Sequence, residues 1–143
     1  MSKLVLVTGG AGFIGSHLVE AWVRRGDRVR VLDNLVTGRR EYLDHVADDI
    51  EFIEGDVLDA RLLQKTIGGV ELVFHQAALA SVPLSLERPL DVHAACATGT
   101  LTLLDQALRA GVSRVIYAAS SSLYGNQPFA TNREGDLPSP MSP

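Results

Sequence analysis

Five short runs of apolar residues alternate with longer amphipathic segments along this chain. Runs of four to six residues rich in valine, leucine and isoleucine are typical of strands that are buried on both faces. Strands that alternate with helices predict an α/β fold, a doubly wound parallel sheet with right-handed crossovers. We expect strand order 3-2-1-4-5. The predicted strands are 3–7, 29–33, 50–55, 72–75 and 113–119.

Two helices are predicted to pack on this sheet. The first has apolar residues at helical spacing and ends at Gly26, as a helix often ends at glycine. The second is a long helix over about 89–110. A short helix is expected within 38–49, and a loop from residue 126 onward. The expected apolar stripe of the long helix is Leu90, Ala94, Ala97, Leu101, Leu104 and Leu108.

Three glycines, Gly9, Gly12 and Gly15, follow the first strand directly, and a helical pattern opens after them. A glycine turn between a strand and a helix lets a phosphate approach backbone N–H groups at the positive end of the helix. Asp33 ends the second strand 18 positions after Gly15, near the spacing of a carboxylate that binds an adenosine ribose. The pattern predicts dinucleotide binding.

The carboxylate of Asp33 also bears on which dinucleotide binds. It would repel a 2′-phosphate, which favours NAD over NADP. Arg39 or Arg40 is the alternative, as a partner for that phosphate.

Polar and small residues follow the other strands as well, at the sheet edge where ligands bind. Asp56 and Val57 are placed to bracket an adenine, although Asp56 or Asp59 suits a helix N-cap equally well. The small residues of 76–81 would let the backbone approach the nicotinamide side of a cofactor. A hydroxyl of 120–122 is placed to bond a substrate oxygen, or serves only the turn.

Composition narrows the function classes. The 143 residues indicate one domain, and a net charge of −4 with a pI near 5.5 argues against a nucleic-acid surface. Cys96 is the only cysteine, which excludes a disulfide framework. No signal peptide or membrane span is apparent, so we expect a cytoplasmic protein. The acidic residues and His45 within 44–49 are interpreted as a solvated face, and no metal site is expected.

Taken together, these motifs resemble the N-terminal half of the NAD-dependent epimerase/dehydratase family, the extended short-chain dehydrogenases, and most closely its UDP-sugar 4-epimerases acting on UDP-glucose or UDP-N-acetylglucosamine. The resemblance covers the whole chain, so residues 1–143 are expected to be an incomplete N-terminal NAD-binding Rossmann domain. The matching motifs are Thr8–Ser16, Asp33–Leu35, Gly55–Val57, His75–Ala78 and Ser120–Gly125.

The resemblance implies a bound NAD, a UDP-sugar substrate oxidised transiently at C4, and a homodimer formed through the long helix. It implies that Ser120 is the catalytic hydroxyl that bonds the sugar 4-oxygen. Ser121 and Ser122 stand where dehydratases usually have an acid pair, which favours an epimerase over a dehydratase or reductase. The other implied substrate contacts are Ser81, Ser121 and Ser122. The implied cofactor contacts are Gly9, Gly12, Phe13, Ile14, Gly15, Asp33, Asn34, Asp56, Val57, Gln76, Ala77, Ala78, Ala80, Cys96 and Ala118.

Two departures from the family pattern matter. Cys96 stands where the family usually has asparagine in the long helix, and a buried helix cysteine usually acts as a small hydrophobe. The family continues Ser-Pro-Tyr-x-x-x-Lys where this chain ends at Pro143, so we expect the chain alone to be inactive and part of a longer enzyme. A short NAD-binding module without turnover is the alternative. An open edge along 115–118 predicts association or aggregation of the isolated segment.

Overall fold

A computed structural model of the chain describes residues 2–127 and 131–143. Its centre is a five-stranded sheet, parallel throughout, in the order β3-β2-β1-β4-β5. This confirms the α/β class and the expected strand order. The strands are β1 Leu4–Thr8, β2 Arg28–Asp33, β3 Ile50–Glu54, β4 Leu72–His75 and β5 Arg114–Tyr117.

The sheet is buried on both faces because helices cover each side, as the unbroken apolar strand runs predict. On one face, Val5 and Val7 of β1 pack with Val19 and Leu43. On the other face, Leu6 packs with residues of two further helices, Leu63 among them. Every side chain named here is at most 2% exposed. The two apolar layers hold the carboxyl ends of all five strands at one edge.

The helices and turns between the strands have the following bounds. Before β4 these are α1 Phe13–Arg24, a 3-10 helix Arg40–Asp49 and α2 Ala60–Thr66. After β4 they are α3 Val82–Glu87, α4 Pro89–His93, a π-helical turn Ala94–Thr98, α5 Gly99–Ala110 and a 3-10 helix Ser121–Tyr124.

Two features of these helices differ from the sequence expectation. Helix α1 begins at Phe13, so Gly15 lies inside its first turn and does not precede it. Helix α3 was not expected; its N-cap Ser81 accepts a hydrogen bond from the backbone N–H of Leu84, with Pro83 in its first turn. The expected loop from residue 126 includes 128–130, which lie outside the described residues.

The long helix, defined here as α4, the π-helical turn and α5, runs without a break over 89–110. The prediction that its apolar stripe packs on the sheet was wrong. Leu90, Leu101 and Leu108 are 83%, 68% and 82% exposed. A different side of the helix packs on the sheet. Its buried residues are Val92, Gly99, Leu103 and Ala107. None of the helices in the described residues is both long and apolar enough to cross a membrane.

Candidate functional site

The glycine turn after β1 brings backbone from two strands into contact. Gly9 has φ +67, and a Cβ on it would lie 2.6 Å from the backbone nitrogen of Ala77. A Cβ on Gly15 would lie 2.1 Å from the carbonyl oxygen of Gly9. Both positions exclude any side chain, because such separations are far inside van der Waals contact. The turn therefore presents bare backbone at the carboxyl edge of the sheet, between β1 and β4.

Helix α1 starts at that turn with its N–H groups available to a ligand. Its N-cap is Gly12, which has no side chain, and its first turn holds no acidic residue. Phe13 and Ile14 are 75% and 60% exposed at this end. Orphan N–H groups and the positive end of the helix dipole favour a phosphate here.

Asp33, at the end of β2, is held by backbone alone. One carboxylate oxygen accepts from the Ala11 N–H at 2.9 Å, and the other accepts from the Leu35 N–H, also at 2.9 Å. The side chain is 6% exposed. Because each oxygen keeps a second lone pair, the carboxylate is oriented and can still accept hydrogen bonds from two ribose hydroxyls.

Gly38 was not singled out from the sequence, but it lies over this carboxylate. A Cβ on Gly38 would be 2.7 Å from one oxygen of Asp33 and 3.1 Å from the Cβ of Ala11. The backbone after β2 therefore closes on the carboxylate, aided by the bond from the Arg39 N–H to the Ala11 carbonyl, 2.8 Å. A glycine five positions after the acid is the only sequence signal for this contact. Arg40 is turned away onto the Phe52 ring, 4.4 Å from its centroid.

Asp56 and Asp59, the two candidate N-caps from the sequence, have different partners in the structure. Asp59 caps α2, accepting from the N–H groups of Arg61 and Leu62 at 3.0 Å each. Asp56 accepts from the side-chain amide of Asn34 at 2.8 Å and from the Leu58 N–H at 2.9 Å. Asp56 thus ties the end of β3 to the end of β2, beside Asp33.

Two adjoining cavities lie along the carboxyl edge and share the backbone of Gly9, Gly12 and 76–79. The smaller, about 100 Å³, is bounded by the loops after β2 and β3. The larger, about 970 Å³, opens between the long helix, the loop after β4 and the serines after β5. Their shared floor is the glycine turn, so one elongated ligand can span both.

Every cofactor or substrate contact that the family resemblance implies lines one of these cavities or their shared floor. The roles assigned to them stay predictions. The smaller cavity holds Asp33, Asn34, Asp56 and Val57. The shared floor holds Gly9, Gly12, Gln76, Ala77 and Ala78. The larger cavity holds Phe13, Ile14, Gly15, Ala80, Ser81, Cys96, Ala118, Ser120, Ser121 and Ser122.

Ser120 serves both the turn and the cavity. Its hydroxyl oxygen accepts from the Ser122 N–H at 3.1 Å, which caps the 3-10 helix Ser121–Tyr124. The hydroxyl proton is not used by that bond and remains available to a substrate oxygen. Ser120 is exposed at the mouth of the larger cavity.

His75 closes β4 beneath the larger cavity and is 4% exposed. Its Nδ1 lies 2.7 Å from the Thr8 hydroxyl, and its Nε2 lies 2.9 Å from the Thr100 hydroxyl. Burial lowers the pKa of the ring from its ordinary value, because the charged form is poorly solvated there. His75 is therefore a buried ring whose two nitrogens both have hydrogen-bond partners.

No three His, Cys, Asp or Glu side chains within 2–127 and 131–143 are grouped so that they could hold a metal ion. The acidic residues of 44–49 are exposed along the 3-10 helix, and His45 lies 3.6 Å from Glu20.

A parallel sheet in this order, with a glycine turn at the N-terminus of α1 and an oriented carboxylate at the end of β2, defines a dinucleotide-binding Rossmann domain. The chain belongs to the NAD dependent epimerase/dehydratase family, whose model matches residues 5–143. It is therefore an NAD-dependent domain. The bare backbone at Gly9 and Gly15 and the oriented Asp33 carboxylate fit the phosphates and ribose of that cofactor.

Known proteins similar to the chain act on nucleotide sugars. A UDP-glucose 4-epimerase from Erwinia amylovora is 40% identical in an alignment of 127 residues that covers 85% of this chain and 38% of that protein. The UDP-N-acetylglucosamine 4-epimerase from Methanobrevibacter ruminantium M1 superposes with a TM-score of 0.92 at 37% identity, over 99% of this chain and 45% of that one.

A dTDP-glucose 4,6-dehydratase from Streptomyces venezuelae, solved with NAD bound, also matches. Its TM-score is 0.93 at 36% identity, over 98% of this chain and 46% of that one. The chain thus spans less than half the length of each of these relatives.

Proposed function

We propose that residues 1–143 form the NAD-binding part of a UDP-sugar 4-epimerase. The observation that carries this proposal is the pair of adjoining cavities along the glycine turn, one with an oriented carboxylate and the other with the Ser120 hydroxyl at its mouth. Asp33 binds the adenosine ribose, and the N–H groups that begin α1 bind the pyrophosphate. NAD held there by the glycine turn and Asp33 would supply a reversible hydride acceptor for C4 of the sugar.

The residues of this chain bind the cofactor, orient the sugar and polarise its 4-oxygen. Ser120 donates its hydroxyl proton to the sugar 4-oxygen, which aligns C4 and stabilises negative charge as that oxygen loses its proton. The small residues Ala77, Ala78 and Ala80 keep the cavity open for the nicotinamide and sugar. In this family mechanism, the proton is taken by a tyrosine that has a lysine four residues later.

That pair is absent from this sequence. Its tyrosines are Tyr42, Tyr117 and Tyr124, and its only lysines are Lys3 and Lys65, so none has the required spacing. We therefore expect the 143-residue polypeptide to show no turnover, while the protein at its natural length turns over. Turnover by the 143 residues alone would contradict this assignment of the base.

The same-family alternative is a nucleotide-sugar dehydratase, which the Streptomyces venezuelae neighbour favours. Elimination of water across C5 and C6 needs an acid and a base beside those carbons. No Asp or Glu lines the larger cavity in the part of the chain that the structure describes. This supports the epimerase over the dehydratase.

Product analysis tests the proposal. The protein at its natural length is incubated separately with UDP-glucose, UDP-N-acetylglucosamine and dTDP-glucose, and the products are separated and identified by NMR. An equilibrium pair of 4-epimers from a UDP-sugar supports the epimerase. A stable 4-keto product indicates the dehydratase, and NAD binding without any product indicates a binding module.

We also propose a homodimer that uses the exposed leucines of the long helix, Leu90, Leu101 and Leu108. An apolar helix face of this kind is normally covered. Light scattering on the natural-length protein should give twice the monomer mass, and Leu101→Glu should halve it. A monomeric wild type would contradict the dimer.

A further inference from the structure

A continuous line of hydrogen bonds runs through the buried end of β4. The Ala77 N–H donates to the Thr8 hydroxyl oxygen at 3.4 Å, and Thr8 lies 2.7 Å from Nδ1 of His75. On the other side of the ring, Nε2 lies 2.9 Å from the hydroxyl of Thr100, which donates to the Cys96 carbonyl at 2.5 Å. Thr8 is fully buried.

The hydrogens in this line have one consistent order. A carbonyl oxygen can only accept a hydrogen bond, so the single hydroxyl hydrogen of Thr100 is donated to the Cys96 carbonyl. Thr100 must then accept from His75, which places the ring hydrogen on Nε2. Nδ1 of a neutral ring is consequently an acceptor, and the Thr8 hydroxyl donates to it. Ala77 supplies the remaining bond to Thr8, so every group in the line is satisfied.

The two ends of the line, Ala77 and Cys96, lie on different elements that both line the larger cavity. Thr8 immediately precedes the glycine turn, and Ala77 is the residue that Gly9 touches. Cys96 lies in the π-helical turn Ala94–Thr98, whose residues Cys96 and Ala97 line one wall. A π-helical turn is a locally widened helix and is often found at functional sites. One imidazole therefore connects the cofactor turn to the widened wall.

We propose that His75 is a positioning residue: as the neutral ring with its hydrogen on Nε2, it fixes the distance between the glycine turn and the π-helical turn. This inference rests on the proposed function for its consequence, because the cavity between those turns is where the nicotinamide and sugar meet. The geometry of the line itself does not depend on which reaction the site performs.

The hydrogen order is tested first by spectroscopy. The natural-length protein is labelled with ¹⁵N-histidine, and the ring signals of His75 are assigned by their loss in His75→Gln. We expect Nε2 in the range of a protonated nitrogen and Nδ1 in the range of an unprotonated one, with and without added NAD. The opposite assignment, or a ring that averages between tautomers, would overturn the proposal.

A matched pair of variants tests the connection to the π-helical turn. Thr100→Val has nearly the same shape but removes both hydrogen bonds, whereas Thr100→Ser keeps both. We expect Thr100→Val to shift the His75 ring nitrogens and the amide signals of Cys96 and Ala97, and Thr100→Ser to restore them. Unchanged signals in Thr100→Val would overturn the proposal even if the protein has no epimerase activity.

The kinetic consequence separates positioning from simple stability. If the wild type interconverts UDP-sugars, we expect Thr100→Val to lower kcat roughly 10- to 100-fold per folded molecule, as loss of a supporting hydrogen bond commonly does. KM should change by less than about threefold. Thr100→Ser should recover most of kcat. An unchanged kcat in folded Thr100→Val refutes the positioning role, whereas an inactive wild type with the expected NMR signals refutes only the proposed function.

Discussion

At the scale of single residues, Asp33 shows how the backbone prepares a side chain for a ligand. Two N–H groups, from Ala11 and Leu35, fix both of its carboxylate oxygens. The Leu35 donor comes from a residue with φ +57, a strained conformation for a residue with a side chain. This conformation places the Leu35 N–H against the carboxylate. The remaining lone pairs of Asp33 are available to a ligand in the smaller cavity.

We expect Asp33→Asn to lower the affinity for NAD by about 10- to 100-fold. The amide nitrogen has no lone pair to offer and meets a backbone N–H, and hydrogen bonds to charged groups contribute about 1.5–3 kcal/mol each. Isothermal titration calorimetry with NAD measures this. Asp44→Asn, an exposed carboxylate on the 3-10 helix, is the control and should bind as wild type. Equal affinity in Asp33→Asn would remove Asp33 from the ribose site.

His75 makes stability depend on pH. Burial lowers its pKa in the folded protein, whereas the unfolded ring titrates near about 6.5. Below about pH 6.5 the unfolded chain therefore binds a proton that the folded chain does not, and the free energy of unfolding falls until the pH reaches the folded pKa. The titratable groups that line the same cavity are Tyr117, His93 and Cys96, and burial alone causes the shift.

We expect acid to destabilise the wild type more than His75→Gln between about pH 6.5 and pH 5. Urea denaturation at several pH values gives both free energies of unfolding, and their difference isolates His75. His17→Gln is the control, since His17 is exposed beside Glu20. A parallel pH dependence in wild type and His75→Gln would mean that His75 is not held neutral.

The residues that could be found from the sequence are those whose chemistry is local. Gly9 and Gly15 follow from the strand–turn–helix order, and Asp33 follows from its place at the end of the next strand, 18 positions after Gly15. Gly38 and the contacts of His75 could not be found in that way. The Gly38 backbone closes over the carboxylate with help from the bond between the Arg39 N–H and the Ala11 carbonyl, which lies on a distant segment. His75 joins residues 67 positions before it and 25 after it.

At the scale of elements, the caps were more predictable than the helix faces. Asp59 was one of two candidate caps, and the structure assigns the cap of α2 to it. The stripe of the long helix was wrong because that helix has apolar residues on two sides. Periodicity detects an apolar face but does not say which of two faces meets the sheet. The side that meets the sheet carries the small residues Gly99 and Ala107, which permit a close approach. A Cβ on Gly99 would lie 2.8 Å from the Val57 side chain.

We expect Asp59→Ala to lower the free energy of unfolding by about 1 kcal/mol, the usual cost of losing an N-cap. The two N–H groups that Asp59 satisfies would then depend on water. Chemical denaturation measures the loss. Asp59→Asn retains a capping oxygen and should lose less than half as much. If the two variants lose the same amount, charge near the helix end matters more than the cap.

At the scale of the whole molecule, the sheet exposes the far side of β5. Ile116 and Tyr117 of β5 are 39% and 63% exposed, and this strand pairs only with β4 in the described residues. An apolar strand edge of this kind invites pairing with another chain. The class, strand order and family were all predictable, because each depends on the pattern over the entire chain and not on any single contact.

We expect the 143-residue polypeptide to associate with rising concentration when it is produced alone. Static light scattering should show a mass above 15.4 kDa that grows with concentration. Ile116→Lys places a charge on the edge and should reduce the association. A clean monomer of the unmodified polypeptide at every concentration would contradict the open-edge account.

The most direct test of the epimerase assignment follows a label at the reacting carbon. The natural-length protein is incubated with UDP-glucose carrying deuterium at C4, and the products are examined by NMR. We expect both 4-epimers to keep the deuterium at C4, since the hydride that leaves is the one returned. Deuterium found at C6 of a 4-keto product, or exchanged with solvent, would contradict it.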